Sequence, residues 1–321
     1  MNLDLALRIG TCCATNNKNA LEIGNNMHNS HITVITCTYG PDYERAERLC
    51  QSVDKFVPET VAHCLIVPRR DLARFETLAG GRRYLASVEE VLPGRYRQLP
   101  FSQRWWLGPA PWPIRGWIMQ QITKLSANAV TNSEVLLFAD SDVTFIRPFD
   151  EARFCRDGEV RLHRVPGAGQ DRDHLRWHQR AAKLLRKRSD YFGSDYIGQL
   201  ITWRRSNLEK LHEHLESLHR KPWHWTVARS LHFSEYILYG AFVEHVMSAH
   251  ESRHFNCEND VCHCCWYEDD LHKLIDRQTA VSTDAQAILL QSNMGMEASN
   301  EAQFFEQLTS DINVAAQESA S

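Results

Sequence analysis

The sequence predicts an α/β protein whose central sheet is mostly parallel and flanked by helices, with a helical C-terminal part. Three observations carry that expectation. His31–Tyr39 (HITVITCTY) and Ala62–Asp71 (AHCLIVPRRD) are β-branched, apolar runs of strand length. Each is followed by a helical stretch, Tyr43–Ser52 and Leu72–Leu78, and such alternation builds parallel sheets. A third run, Val135–Ile146 (VLLFADSDVTFI), is apolar up to a pair of acids, as expected of a buried strand opening at the carboxyl edge of a sheet, where open α/β sheets bind ligands.

The elements follow in order. Residues 1–30 are rich in Asn, hold no sustained period and read as a loose leader. Gly40-Pro41-Asp42 ends the first strand, and Pro68 closes the second. Pro93–Trp117 is dense in Pro, Gly, Arg and Trp and predicts an ordered loop lying over a site. Arg115–Asn128 places Ile118, Ile122 and Leu125 at helical spacing and leads into the acidic strand. Gly158–Gly167 and Tyr196–Arg205 read as strands separated by a long charged helix through Arg188, after which helices are expected over Leu208–His219 and Ser234–Ala249. The ordered domain is expected to span 31–292, and residues 293–321 read as a polar tail with one amphipathic stretch at Phe304 and Phe305 and no chemistry.

Composition bounds the function. Of 321 residues, 43% are hydrophobic and 24% charged, which is ordinary for a globular chain, and the formal net charge of −4 argues against a nucleic-acid binder. No stretch approaches the roughly 20 apolar residues of a membrane span. The basic run Arg180–Arg188 reads as a solvated helix face able to meet phosphate or lipid headgroups, so membrane association is expected to be peripheral at most, on the inner face, with a cytoplasmic location. The ten cysteines are scattered apart from Cys257, Cys262, Cys264 and Cys265, and reduced thiols are expected.

Asp140 and Asp142 stand two positions apart at the end of VLLFA. On a strand their carboxylates share a face, and both can turn toward one hard cation, Mn²⁺ or Mg²⁺, which prefers oxygen ligands and substrate phosphates. The plain alternative is a pair of acids capping the turn before Pro148.

Taken together, FADSDVTFIRPFD, the TVITCTYGPD strand and turn, the GWIMQQITKL helix and the late SEYILYGAF helix resemble, in that order, the GT-A fold glycosyltransferases, and in particular bacterial glycosyltransferase-like proteins with an Asp-x-Asp motif. The resemblance spans about His31 to Ser292. It implies a Rossmann-like, GT-A-like domain and transfer of a sugar from a nucleoside diphosphate sugar, a UDP-linked one first, to the hydroxyl of a glycan, lipid-linked or small-molecule acceptor, as in surface polysaccharide or glycoconjugate synthesis. By the same resemblance Asp140 and Asp142 bridge metal to the donor diphosphate, and Thr36, Thr38, Tyr39 and Asp42 hold the nucleotide. Gln121 and Lys124 then lie near the donor, Glu235 at the acceptor as ligand or general base, and Asp195 against donor sugar or acceptor. Tyr239 and Trp225 become candidate sugar-facing aromatics. His263, with His254 as competitor, becomes a late third metal ligand.

Other readings stay open at this point. Ser234 can be an N-cap, leaving Glu235 a favourable first-turn charge. The spacing C-x4-C-x-C-C with His263 inside it also suits a small zinc site and a non-enzymatic interaction protein. A Mg²⁺-dependent nucleotidyltransferase needs paired acids too, but TYGPDYERAE lacks its Gly-rich, basic phosphate loop. His174 and His178, at i and i+4, read as surface residues without a third ligand.

Overall fold

The apolar runs become strands because they are buried along their whole length. A computed structural model describes residues 31–308 except 101, 103, 109–112, 231 and 297–299; the expected leader and residues 309–321 lie outside the described residues. The strands that frame the site are β1 (Ile32–Cys37), β2 (Ala62–Val67), β3 (Arg83–Ser87), β4 (Val135–Phe138), β5 (Val143–Phe145), β6 (Glu159–His163), β7 (Ile201–Arg204), β8 (His254–Cys257), β9 (Cys262–Cys265) and β10 (Ala287–Leu290). The helices are α1 (Tyr43–Phe56), α2 (Gly116–Leu125), α3 (Arg172–Leu184), α4 (Arg205–His219), α5 (Trp223–Ala228), α6 (Glu235–His245) and α7 (Glu268–Ile275).

The main sheet runs β3-β2-β1-β4-β7, with the first four strands parallel and β7 antiparallel to β4. The α/β expectation of a mostly parallel, helix-flanked sheet therefore holds. Leu49 and Val53 of α1 cover one face, against Ile32, Val34, Val135 and Leu137. Ile118 and Ile122 of α2, Leu208 of α4 and Tyr236 of α6 cover the other, against Ile35, Leu136, Phe138 and Trp203. Alternate residues of β1 and β4 thus serve opposite cores, which is why these strands read as continuous apolar runs. Gly240 lets α6 approach the 196–200 segment: a Cβ there would lie 2.3 Å from Cδ1 of Tyr196.

Several expected boundaries change. Val135–Ile146 is two strands in two sheets: β4 ends at Phe138, the chain turns with Val143 N–H donating to the Asp140 carbonyl at 3.0 Å, and β5 pairs antiparallel with β10. Tyr196–Arg205 is strand only from Ile201. The expected loop over Pro93–Trp117 holds a small antiparallel sheet of Arg97–Gln98, Trp105–Leu107 and Ile114–Arg115. Ser234–Ala249 is helical over Glu235–His245, followed by a separate turn of helix at Ala249–Ser252. No described helix is long and apolar enough to cross a membrane.

The C-terminal segment is not a passive tail. Residues 300–308 are helical, and Phe305 is buried with Ile146, Ile288 and Leu290. Glu301 is 1% exposed and accepts hydrogen bonds from Arg45 Nη2 at 2.8 Å and Arg48 Nη2 at 2.5 Å, both on α1. The Arg48 guanidinium also lies over the Phe305 ring. An amphipathic pattern around two phenylalanines is visible in the sequence, but its receiving surface is built by β5, β10 and α1, far away in the chain. Removing one partner of a buried ion pair leaves the other charges uncompensated. Glu301→Ala is therefore expected to lower unfolding free energy by about 3 kcal/mol or more in a denaturant titration; an unchanged midpoint would mean the helix is not docked on α1.

Candidate functional site

The carboxyl ends of β1 and β4 meet the start of α6 and the last turn of α2 around one buried amine. Lys124 is 4% exposed. Its Nζ lies 2.9 Å from Asp140 Oδ1 and 3.4 Å from Glu235 Oε1, and donates to the Tyr236 hydroxyl at 2.9 Å. Burial alone would lower the lysine pKa, but Asp140, Tyr236 and Glu235 outweigh it and hold the amine charged, well above its ordinary value. Burial raises Glu235 above the ordinary glutamate range, with Lys124 opposing that rise. Ser234 does cap α6, its Oγ accepting from Ile237 N–H. Glu235 is nonetheless more than a first-turn charge, because it is buried and faces Lys124 rather than solvent.

Asp140 and Asp142 flank the turn after β4. Asp140 is partly exposed and also accepts from Gln199 Nε2 at 3.1 Å. Asp142 is 7% exposed; its Oδ2 accepts from Ser292 N–H at 3.1 Å, whereas Oδ1 is buried with no hydrogen-bond partner. Burial first, then the charge of Asp140, pushes the Asp142 carboxyl up to about 7. A partnerless, dehydrated carboxylate oxygen beside a second carboxylate fits a hard divalent cation. Among the described residues no three His, Cys, Asp or Glu side chains come together as a ready metal cage. Two carboxylates suit an ion that takes its remaining ligands from water and substrate phosphates.

The first loop borders these acids. Tyr39 is exposed, and burial of part of its ring raises its hydroxyl pKa, with Asp42, Arg45 and Arg104 as its charged neighbours. Asp42 lies 3.5 Å from Arg45. Burial raises the Asp42 carboxyl, Arg45 opposes this, and Glu301 and Asp140 add to it. Thr38 is buried with a partnerless hydroxyl. The loop is pinned from below by Asp71, which accepts from Gly40 N–H at 2.9 Å, and by Arg74, which donates to the Gly40 carbonyl. Gln121 accepts from Glu235 N–H through Oε1, and its Nε2 is buried without a partner.

Several sequence expectations are not met by this geometry. Thr36 is fully buried, its hydroxyl 3.1 Å from His63 Nε2 between β1 and β2, because strand alternation sends Cys37 rather than Thr36 toward Lys124. His263 is not brought to the acids. On β9, Cys262 and Cys264 carry the electrostatic influence of Asp142, whereas the charge that acts on the alternate residue His263 is Asp270. His254 is held between the Tyr239 hydroxyl and the Val160 carbonyl. The same alternation keeps the cysteines from converging: Cys262 and Cys264 pack with one core and Cys265 with another, and Cys257 sits on β8 of a different sheet. Tyr239 is wholly buried and stacked on Trp203, so it faces no sugar; Trp225 is exposed. His178 is fully buried rather than superficial, beneath Tyr191 and Phe192.

Asp195 is held by partners outside the Lys124 cluster. Its Oδ1 accepts from Ile197 N–H and its Oδ2 is 3.4 Å from His174 Nε2. Residues that the sequence did not single out complete the centre: Gln199, Ser292, Arg45, Arg48 and Glu301. The pair Arg45 and Arg48, one turn apart just after the first loop, was the available signal; Ser292 and Glu301 acquire meaning only when β10 and the C-terminal segment fold back.

The pH dependence has a defined sign. Asp142 is raised in the folded state, so the folded chain holds a proton that the unfolded chain loses near the ordinary aspartate range. Its stabilising contribution is present below that range and is lost as pH rises toward and through about 7. In EDTA, Asp142→Asn is expected to raise the melting temperature more at pH 8 than at pH 5; an equal shift at both would contradict a buried, raised carboxyl.

Comparison with known proteins gives a family and a set of fold likenesses. No curated protein matches the sequence. Among solved structures, the galactosyltransferase LgtC in complex with donor and acceptor sugar analogs is similar at 12% identity and a TM-score of 0.46, over 87% of this chain and 95% of that one. An active-site mutant of LgtC gives 11% and 0.43 over the same shares. The bifunctional glycosyltransferase WbbM, in its apo structure, gives 10% and 0.43 over 82% of this chain and 46% of that one. A family model matches residues 30–313. The chain belongs to that family, DUF6492, a family of unknown function.

Proposed function

We propose that the protein is a metal-dependent glycosyltransferase that moves a sugar from a nucleoside diphosphate sugar to a hydroxyl acceptor. The observation that carries this reading is the partnerless, buried Oδ1 of Asp142 beside Asp140, at the carboxyl edge of a parallel sheet and next to a buried, charged lysine. The sequence resemblance of these segments to GT-A enzymes points the same way.

Asp140 and Asp142 would hold Mn²⁺ or Mg²⁺, which when bound supplies Lewis-acid stabilisation of the leaving diphosphate. Lys124 orients Asp140 and neutralises part of the carboxylate charge that would otherwise repel the diphosphate. Thr38, Tyr39 and Asp42 border the metal acids from the first loop and are the nucleotide-side candidates. Glu235 would take the proton of the attacking hydroxyl; its raised proton affinity and its contact with Lys124 support that role. The bond made joins acceptor oxygen to the anomeric carbon; the bond broken joins that carbon to the diphosphate oxygen. Gln121 holds the backbone of Glu235 through Oε1, and its buried Nε2 has no partner. A UDP-linked donor, a glycan or lipid-linked acceptor and a cytoplasmic, at most membrane-peripheral setting complete the proposal.

A panel of nucleotide sugars should raise the melting temperature in the presence of Mn²⁺ for at least one member, by about 5 °C at a ligand concentration near a hundred times its Kd. The same donor should be hydrolysed or transferred, and Asp142→Ala should abolish this while leaving circular dichroism unchanged. Absence of any stabilisation across the panel would remove the reading's main support.

A further inference from the structure

A second cluster lies along the same helix face. Residues seven apart on a helix return to almost the same face about 10 Å along the axis, so Trp117, Gln121 and Lys124 form one stripe on α2. Trp117, at its outer end, is 43% exposed, and its ring centroid is 5.9 Å from that of Trp177 on α3. Trp177 in turn meets the His174 ring edge-on at 5.0 Å, and His174 Nε2 stands 3.4 Å from Asp195 Oδ2. His174 also contacts Asp171, the cap of α3. The turn containing Gly169, at φ +70°, presses against Asp195; a Cβ on Gly169 would lie 2.9 Å from the Asp195 Cγ.

Two chain segments connect this cluster with the metal acids. One is the α2 stripe. The other runs from Asp195 to Gln199, whose Nε2 donates to Asp140. Each carries a buried amide with an unused group: Nε2 of Gln121 and Oε1 of Gln199, both on residues 3% exposed. A buried amide group without a protein partner needs another one, an ordered water or a polar ligand.

We propose that Trp117, Trp177, His174 and Asp195 form a carbohydrate subsite that holds a glycan longer than one hexose, with the ring nearer Asp140 contacting Gln121 and Gln199. The assignment of that glycan as the acceptor rests on the transferase reading; the sugar binding itself does not. A pyranose presents an apolar C–H face and an equatorial rim of hydroxyls. The two tryptophans supply apolar surface with limited conformational freedom. The Asp195 carboxylate accepts hydrogen bonds from hydroxyls, and His174 fixes its orientation. Tryptophan faces with a carboxylate, and no lysine or arginine among the four, while His174 is already engaged by Asp171 and Asp195, favour a neutral sugar over a phosphate or a sulfate.

The test uses the full chain labelled with ¹⁵N at its nine tryptophans, with the Trp117 and Trp177 indole signals assigned by Trp117→Phe and Trp177→Phe. Maltose, cellobiose, lactose, chitobiose and their trisaccharide forms are titrated, with glucose and galactose as single-ring controls. At least one oligosaccharide should shift both indole signals, more tightly than either monosaccharide, and Asp195→Asn should weaken that binding about tenfold or more. No shift of either indole with any saccharide, or the same affinity in Asp195→Asn, overturns the subsite. Saccharide binding in a protein that no nucleotide sugar stabilises would instead sink the transferase reading and leave the subsite standing.

Discussion

The buried amine of Lys124 is the constraint on which the rest of the site depends. It joins the last turn of α2, the end of β4 and the first turn of α6 through Asp140, Tyr236 and Glu235. A buried cation is tolerated only when paired and hydrogen-bonded. Here two carboxylates and a phenol satisfy it, and the same pairing makes the buried Glu235 tolerable to the fold. The helix and strand that converge on it are fixed by the larger cores on either side of the sheet, so a precise polar cluster sits on a rigid apolar frame. Asp142 is the member this arrangement does not satisfy. Its Oδ1, buried without a hydrogen-bond partner, is the atom on which the proposed cation site rests.

The frame was legible in the sequence where one residue type decides the outcome. Gly40-Pro41 and Pro68 end strands in the places expected, and the apolar content of β1 and β4 announces burial on both faces. Asp140, Asp142, Lys124 and Glu235 were visible as an acid pair, a helix cation and a capped first-turn acid, and the structure brings Lys124 to both Asp140 and Glu235. What could not be read was register and return. Whether Thr36 or Cys37 faces the site depends on a one-residue phase along β1. The same phase along β9 decides that His263 turns from the acids. The contact of Ser292 with Asp142 requires β10 to pair with β5 across nearly half the chain. Glu301 was hidden for a further reason: an acid in a polar, amphipathic segment looks solvated until two arginines of α1 close on it.

That return also couples the centre to the C-terminal segment. Arg45 contacts Asp42 on the loop side and Glu301 on the other, and Arg48 joins Glu301 to Thr144 of β5, two residues beyond Asp142. The loop expected to meet the nucleotide is therefore tied to the last described helix through charged side chains rather than through the apolar core.

The central claim concerns one atom, Asp142 Oδ1, and anomalous diffraction from crystals grown with MnCl₂ and UDP addresses it most directly. A manganese peak within coordination distance of Asp142 Oδ1 and of Asp140, shared with the UDP phosphates, is the expected result. A peak elsewhere, or UDP bound with both carboxylates left metal-free, would contradict a donor-diphosphate site at the end of β4.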